Sequence, residues 1–321
     1  MGLVMNRDEL RLSRQLTLRD LDVLMTVAKC GSMGKAALQL SVSQPAISKA
    51  IADMERWLGV RLLDRTTQGV EPTIYARPLM ERGAIAFDEL KQAVNHVEFL
   101  AHPTSGELRI GSTIAIATSF MSAVLDRLSR RYPDIVFRAL SGEASSIYRA
   151  LEERSLDVAI LPMLATRVGE HLDANVLYEE PLVVVAGARS PWSRRRRIDL
   201  AELVNAVWTL PPLDSLYGAV VAEAFSAHGL EVPRATVFTS TTPLRNALLE
   251  SGRFLSIVQG SVVKFGAGTA GLRVLPVDLP TTRRSIGVVT LKNRTRSPLA
   301  QLFIECARQV AKPLSYDKSR R

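Results

Sequence analysis

At 321 residues the chain is too long for one ordinary hydrophobic core, so two or three domains are expected. Hydrophobic residues make up 47% and charged residues 23%, as in soluble globular proteins, and the longest apolar runs, such as 182–188, fall far short of the roughly 20 residues a membrane span needs. The net charge of +9 points to a nucleic-acid partner, yet residues 1–100 hold 13 Lys/Arg against 12 Asp/Glu, residues 101–280 hold 18 against 18, and residues 281–321 hold 10 against 2. Bulk charge therefore does not locate a DNA surface; local geometry has to.

The first residues, MGLVMNRDELRLSRQ, carry no apolar core behind their charges, so no secretory signal is expected there, and Met5 is a second candidate start. The two cysteines, Cys30 and Cys306, fall in separate helical patterns. Both are expected to be buried free thiols, which fits a cytoplasmic compartment.

Leu18, Leu21, Leu24, Met25 and Ala28 stand at helical spacing, and Gly31 breaks the pattern. Ser32 can cap a second helix over roughly 33–40, with small Ala36 and Ala37 for a close crossing. After the connector Ser41–Val42, Ser43 can cap a third helix. Pro45 then lies in the first turn, where N–H groups have no partner inside the helix. Ile47, Ile51, Met54 and Leu58 form its apolar stripe, leaving Gln44, Ser48 and Lys49 to face away. Two short helices, a tight turn and alanines at the crossing make a helix-turn-helix, whose second helix enters a major groove by its N-terminal end.

Residues 59–73 read as a β-hairpin wing. Leu62 and Leu63 face inward, Gln68-Gly69 and Glu71-Pro72 give turn signals, and Arg61, Arg65, Thr66 and Thr67 suit phosphate contacts. Thr73 can cap a long helix to about Leu100. Leu79, Ala86, Ala93 and Leu100 recur every seven residues, interleaved with Gly83, Leu90 and Val97, which predicts a coiled-coil seam and a dimer. Pro78 predicts a kink or a late helix start. Residues 102–106 have linker composition.

Beyond the linker, strands and helices alternate. Strands are expected over 107–111, 135–140, 156–161, 181–187, 206–211, 236–240, 254–259, 272–277 and 285–291. Helices are expected over 118–131, 144–154, 216–228, 243–251 and 297–312. This is α/β with a mostly parallel sheet, whose ligands bind where strands end and helices begin. The first strand ends in Gly111-Ser112-Thr113, Ser141 follows the second, Pro162-Met163 the third, and Thr239–Thr242 a later one; hydroxyls and free N–H groups there suit an anion or a hydroxyl-bearing ligand.

Other motifs carry little. Residues 266–271 fit GxGxxG but run into a strand with no acidic residue following, so no dinucleotide is expected. Residues 31–36 lack the spacing and the Ser/Thr of a phosphate loop. Arg194–Arg197 read as a solvated loop. His96, His102, His171 and His228 are scattered without metal-ligand spacing, and no nucleophile, base and orienting group stand together. No cofactor, metal or catalytic activity is expected.

The stretch AALQLSVSQPAISKAIADMERWLGVRLLDRTTQGVEPT, residues 36–73, resembles the LysR-type transcriptional regulators. It keeps Ser43-Gln44-Pro45-Ala46, Leu58-Gly59 and Arg65 of the family pattern, with Met54 in place of the usual leucine, Leu63 in place of phenylalanine, and an unusual Pro78. The order of helix-turn-helix, wing, long helix, hinge and two α/β subdomains is similar too. The resemblance implies a winged helix-turn-helix domain over 1–72, a linker and dimerisation helix over 73–102, and an α/β effector domain over 103–321. That domain would resemble type 2 periplasmic binding proteins, with subdomain I at about 107–180 and 282–315 and subdomain II at about 181–281.

By the same resemblance Ser43, Gln44, Pro45, Ser48 and Lys49 would face the groove, and Ser32, Lys35, Arg56, Arg65 and Thr66 would hold the DNA backbone. Ser112, Thr113, Ile114, Ser141, Gly142, Pro162, Met163, Pro211, Thr241 and Thr242 would line the effector cleft. The implied partners are promoter DNA, a small-molecule effector (a small carboxylate first, a sugar or sugar acid next), a tetramer built as a dimer of dimers, and RNA polymerase. Two other readings remain open from residues alone. One is a cytoplasmic solute-binding protein or enzyme of periplasmic-binding-protein-like fold carrying an accessory dimer module. The other is a nucleoid-type DNA binder without an effector.

Overall fold

The computed structural model describes residues 15–67, 69–163, 171–234, 237–266, 271–279 and 282–314. The chain forms two compact units, Met1–Val94 and Asn95–Arg321.

In the first unit, helix α1 (Leu18–Cys30) opens with a capping box. The Thr17 hydroxyl accepts from Asp20 N–H, and the Asp20 carboxylate accepts from Thr17 N–H at 3.0 Å. Gly31 ends it in the left-handed region, at φ 61°. Helix α2 (Met33–Gln39) is capped by Ser32, and α3 (Gln44–Leu58) by Ser43, whose hydroxyl accepts from Ala46 N–H at 3.3 Å. Pro45 sits in the first turn of α3, as the sequence requires. Leu24 and Val27 of α1, Ala36 of α2 and Ile47, Ile51 and Met54 of α3 close one core.

Strands β1 (Leu63–Thr66) and β2 (Gly69–Pro72) pair antiparallel as the wing. The Glu55 carboxylate on α3 accepts from Leu62 and Leu63 N–H at 2.7 and 3.3 Å, tying the root of the hairpin to that helix. Val70 N–H donates to the Gly31 carbonyl at 2.9 Å, and a Cβ on Gly69 (φ 138°) would lie 2.3 Å from that same oxygen. Only glycine fits there.

The long helix α4 (Ala76–Ala101) starts later than Thr73. The Thr73 hydroxyl instead donates to the Arg61 carbonyl at 2.8 Å and accepts from Tyr75 N–H at 3.2 Å. Pro78 thereby falls in the first turn, where its missing N–H costs nothing.

The second unit holds two five-stranded sheets. The first has strands β3 (Ser105–Thr113), β4 (Asp134–Gly142), β5 (Val158–Pro162), β6 (Leu172–Glu180) and β12 (Arg284–Leu291) in the order β4-β3-β5-β12-β6. The second has β7 (Leu182–Gly187), β8 (Val207–Leu210), β9 (Val237–Phe238), β10 (Phe254–Gln259) and β11 (Leu272–Val274) in the order β11-β7-β10-β8-β9. Helices α5 (Ser122–Arg131), α6 (Ala144–Glu152) and α10 (Pro298–Ala311) cover the first sheet. Helices α7 (Leu216–Ser226), α8 (Thr242–Glu250) and α9 (Gly260–Phe265) go with the second.

The expected mostly parallel sheet is corrected to two mixed sheets. In the first, β3 pairs parallel with β4 and β5, but β12 pairs antiparallel with β5 and β6. In the second, β7 is antiparallel to β10 and β11, while β8 is parallel to β9 and β10. Parallel pairing needs a crossover connection to bring the chain round. Strand β6 instead passes straight into β7 of the other sheet through Pro181 alone. The sequence reading also lacks β6. That strand lies at a sheet edge and is only partly buried, so its apolar pattern is weak. The helix expected from Thr118 begins earlier, as a turn over Ile114–Ile116 and a π-helical turn over Ala117–Met121 before α5. There the Ser119 hydroxyl donates back to the Ala115 carbonyl at 2.6 Å.

Cys306 is buried, but Cys30 is only half-buried, contrary to expectation; its thiol donates to Gln39 Oε1 at 3.2 Å. No described helix is long and apolar enough to cross a membrane. The GxGxxG stretch and the Gln68 turn position fall partly outside the described residues.

Candidate functional site

Two sites emerge, one in each unit. The first is the front of α3. Gln44, Pro45 and Lys49 are exposed on its first two turns. Ser48 is not: it is half-buried, and its hydroxyl donates to Met33 Sδ at 3.3 Å, so it bridges α3 to α2. Ser32 and Ser43 are occupied as helix caps, leaving their oxygens turned to backbone N–H groups. Lys35 is exposed on α2, and Arg65 and Thr66 are exposed on β1 of the wing. Arg56 pairs with Asp53 at 2.6 Å, an exposed i,i+3 bridge worth about 0–1 kcal/mol and easily exchanged for a phosphate. The free N–H groups and dipole at the α3 N-terminus add to the attraction for a phosphate.

The second site is a cavity of about 130 Å³ between the two sheets of the second unit. It is built where β3 ends and a helical turn begins, where β4 meets α6, and where β8, β9 and β10 meet α7 and α8. Five of the expected positions line it: Thr113, Ile114, Gly142, Pro211 and Thr242. The others do not. Along β3 side chains alternate, so Ser112 faces the opposite way from Thr113 and is fully buried, its hydroxyl donating to the Thr113 carbonyl. Ser141 is exposed on the edge strand β4. Pro162 takes a hydrogen bond from Tyr148, and Met163 packs toward α6 and over Gly287. Thr241 is the exposed cap position of α8.

The cavity also holds groups outside that set, among them Glu143, Ser215, Tyr217, Thr239, Arg245 and Gln259. Arg245 carries the most charge chemistry. Burial pulls its pKa down to about 10, so it stays a cation at neutral pH. Its only partner among the described residues is the Asn246 amide oxygen, at 3.3 and 3.4 Å. No carboxylate among those residues pairs with it. Glu180 is buried close by, at the end of β6. Burial raises its pKa, against the opposing bonds from Ser261, whose N–H donates to it at 2.8 Å. The Tyr217 hydroxyl is pushed well above its ordinary value, first by burial and also by the Glu180 charge. Among the described residues no His/Cys/Asp/Glu group could hold a metal ion.

Comparison with known proteins agrees with this architecture. The family described as the LysR substrate binding domain matches residues 101–312, and the bacterial regulatory helix-turn-helix protein, lysR family, matches residues 18–77. The chain is 26% identical over 303 residues to the HTH-type transcriptional regulator GbpR of Azospirillum brasilense, covering 92% of this chain and 87% of that one. It is 26% identical over 300 residues to the HTH-type transcriptional regulator TdcA of Escherichia coli, covering 93% and 94%. Among solved structures, full-length OxyR C199D from Pseudomonas aeruginosa superposes with a TM-score of 0.64 at 21% identity, covering 94% of this chain and 99% of that one. Full-length CbnR complexed with its target DNA gives 0.55 at 21%, covering 92% and 100%. At these identities the structural matches speak for the fold.

Proposed function

Because the chain belongs to the LysR family of DNA-binding transcriptional regulators, which carry a substrate-binding domain for effectors, we propose that the front of α3 reads a promoter and that the cleft binds a small carboxylate. The DNA part rests on the exposed pair Gln44 and Lys49 at the front of a capped helix, with Arg65 and Thr66 exposed on the adjoining wing. A glutamine amide matches an adenine edge, and a lysine matches guanine or phosphate. Ser48 holds α3 against α2 and contributes position. Ser32, Lys35, Arg56, Arg65 and Thr66 supply contacts to the DNA backbone. The cytoplasm, with contact to RNA polymerase at the promoter, is the setting this reading requires.

The effector part rests on Arg245, a half-buried cation lining the cavity that no carboxylate among the described residues answers. A sugar or sugar acid is the second choice, supported by the hydroxyl-rich lining. Assembly is proposed through α4. Leu90, Val97 and Leu100 are exposed apolar residues at heptad spacing, and a second copy of the helix would cover them. A dimer of dimers is the assembly the family resemblance implies.

The decisive experiment is binding of the purified protein to the DNA upstream of its own gene against random DNA, at fixed salt. The expected preference is about a thousandfold or more. Gln44→Ala should cut specific binding by about 1–3 kcal/mol and leave non-specific binding unchanged. Equal loss on both DNAs would remove Gln44 from base reading.

A further inference from the structure

The cavity is lined by two charges of opposite sign with no ionic partner among the described residues: Arg245, half-buried, and Glu143, exposed at the mouth. Arg245 comes from α8 in one subdomain; Glu143 comes from the junction of β4 and α6 in the other. Arg245 makes only long bonds to its neighbour Asn246. Glu143 occupies the N-cap position of α6, yet its carboxylate does not cap the helix. It has no donor or cation among the described residues. Its own backbone carbonyl, not its side chain, takes the Ser146 hydroxyl at 2.7 Å. A third group points the same way: the Thr113 hydroxyl lines the cavity, is buried, and has no hydrogen-bond partner among the described residues. The lining also includes the apolar side chains of Ile114, Leu182, Val221 and Ile257.

We propose that the effector is a zwitterion of α-amino-acid type, its carboxylate held by Arg245 and its ammonium by Glu143. This rests on the reading of the cleft as an effector site for small carboxylates, and narrows it. A planar guanidinium takes a carboxylate through two parallel N–H bonds. A simple monocarboxylate would answer Arg245 and leave Glu143 facing an uncharged ligand. A dicarboxylate would bring a second anion toward Glu143. A neutral sugar would answer neither charge. An α-amino acid answers both and leaves a short apolar side chain for the apolar lining. Size agrees: an apolar cavity of about 150 Å³ takes a benzene, so the 130 Å³ here suits a small amino acid.

The test uses the full-length protein and calorimetric titration with each protein amino acid. Each one that binds is compared with its deamino acid and its decarboxylated amine; for L-valine these are isovalerate and isobutylamine. We expect a small apolar amino acid to bind, with both analogues weaker by about 30-fold or more. Glu143→Gln should weaken the amino acid by a similar factor and leave the deamino acid unchanged. Arg245→Gln should abolish binding of both acids, with Arg245→Lys as a charge-retaining check and the unliganded Tm as the check on folding.

If a deamino acid binds as tightly as its amino acid, or Glu143→Gln has no effect, the zwitterion is overturned while the carboxylate reading stands. If Arg245→Gln binds normally, the proposed anchor is overturned. If no amino acid binds and a neutral sugar does, both readings fall.

Discussion

Glu180 is a buried carboxyl and Asp157 a largely buried one, and their surroundings push them in opposite directions. Burial alone would raise Asp157, but Arg109 outweighs it with its side-chain and backbone hydrogen bonds, at 2.7 and 2.9 Å, and Arg294 adds its charge at 2.9 Å. The carboxyl is held below its ordinary range. Its contribution is therefore present above the unfolded value of about 3.8 and lost as the pH falls through the lower folded value. Asp157→Asn should cost about 1.5–3 kcal/mol at neutral pH, because it removes the charged acceptor shared by half-buried Arg109 and buried Arg294, and should flatten the acid limb of a stability-versus-pH curve.

Glu180 runs the other way. Its folded pKa is raised by burial, so it favours the fold most when protonated and costs stability as the pH rises above its ordinary 4.5. One of its oxygens has no partner among the described residues. Glu180→Gln should leave stability unchanged at pH 4 and raise it at pH 8, in denaturant melts at the two values. Neither environment is legible in the sequence. Arg109 and Asp157 are 48 residues apart, and nothing local to either announces the other.

At the scale of elements, what is legible is what is encoded locally. The capped helices α1, α2 and α3 carry their start and stop signals within a few residues, so the exposed front of α3 is legible from the amino-acid order alone. The edge strand β6 and the mixed strand directions are not, because they depend on which distant strand lies alongside. The wing is intermediate. Its hairpin pattern is local, but its anchorage on Glu55 is tertiary. Glu55→Ala leaves the Leu62 and Leu63 N–H groups without this acceptor and should destabilise the first unit by about 1–3 kcal/mol; on the proposed function it should also weaken DNA binding through Arg65. The α4 seam makes its own prediction. Val97→Asp places a charge among exposed apolar residues that the proposed partner helix would cover, so sedimentation should show a smaller assembly at equal concentration, with the fold of each unit intact by circular dichroism.

For the whole molecule, two compact units argue against a single unfolding transition. Calorimetry should resolve two. A ligand of the cleft present at about a hundred times its dissociation constant should stabilise the second unit by about 2.7 kcal/mol and leave the transition of the first in place. A shift of both together would mean that the units unfold as one. The cleft itself is half legible. Thr113, Ile114, Gly142, Pro211 and Thr242 lie where strands end, a rule that holds for many α/β sheets. Arg245 escapes a reading of the sequence because an arginine in an amphipathic helix looks solvated. Only the fold shows that this one turns inward.

The chain passes between the two sheets of the second unit along neighbouring strands. Strand β6 leaves through Pro181, β12 returns, and the two are paired from Arg284 opposite Glu180 to Leu291 opposite Leu172. The Thr282 hydroxyl accepts from Leu182 N–H at 3.0 Å where the crossings meet. Two strands stitched together can bend and twist as a ribbon, but they cannot slide past each other without breaking the stitches. Such a paired crossing favours a hinge-like rotation between the two sheets over sliding. If the cleft takes an effector as proposed, its occupancy would be read out as a change of angle between the two sheets.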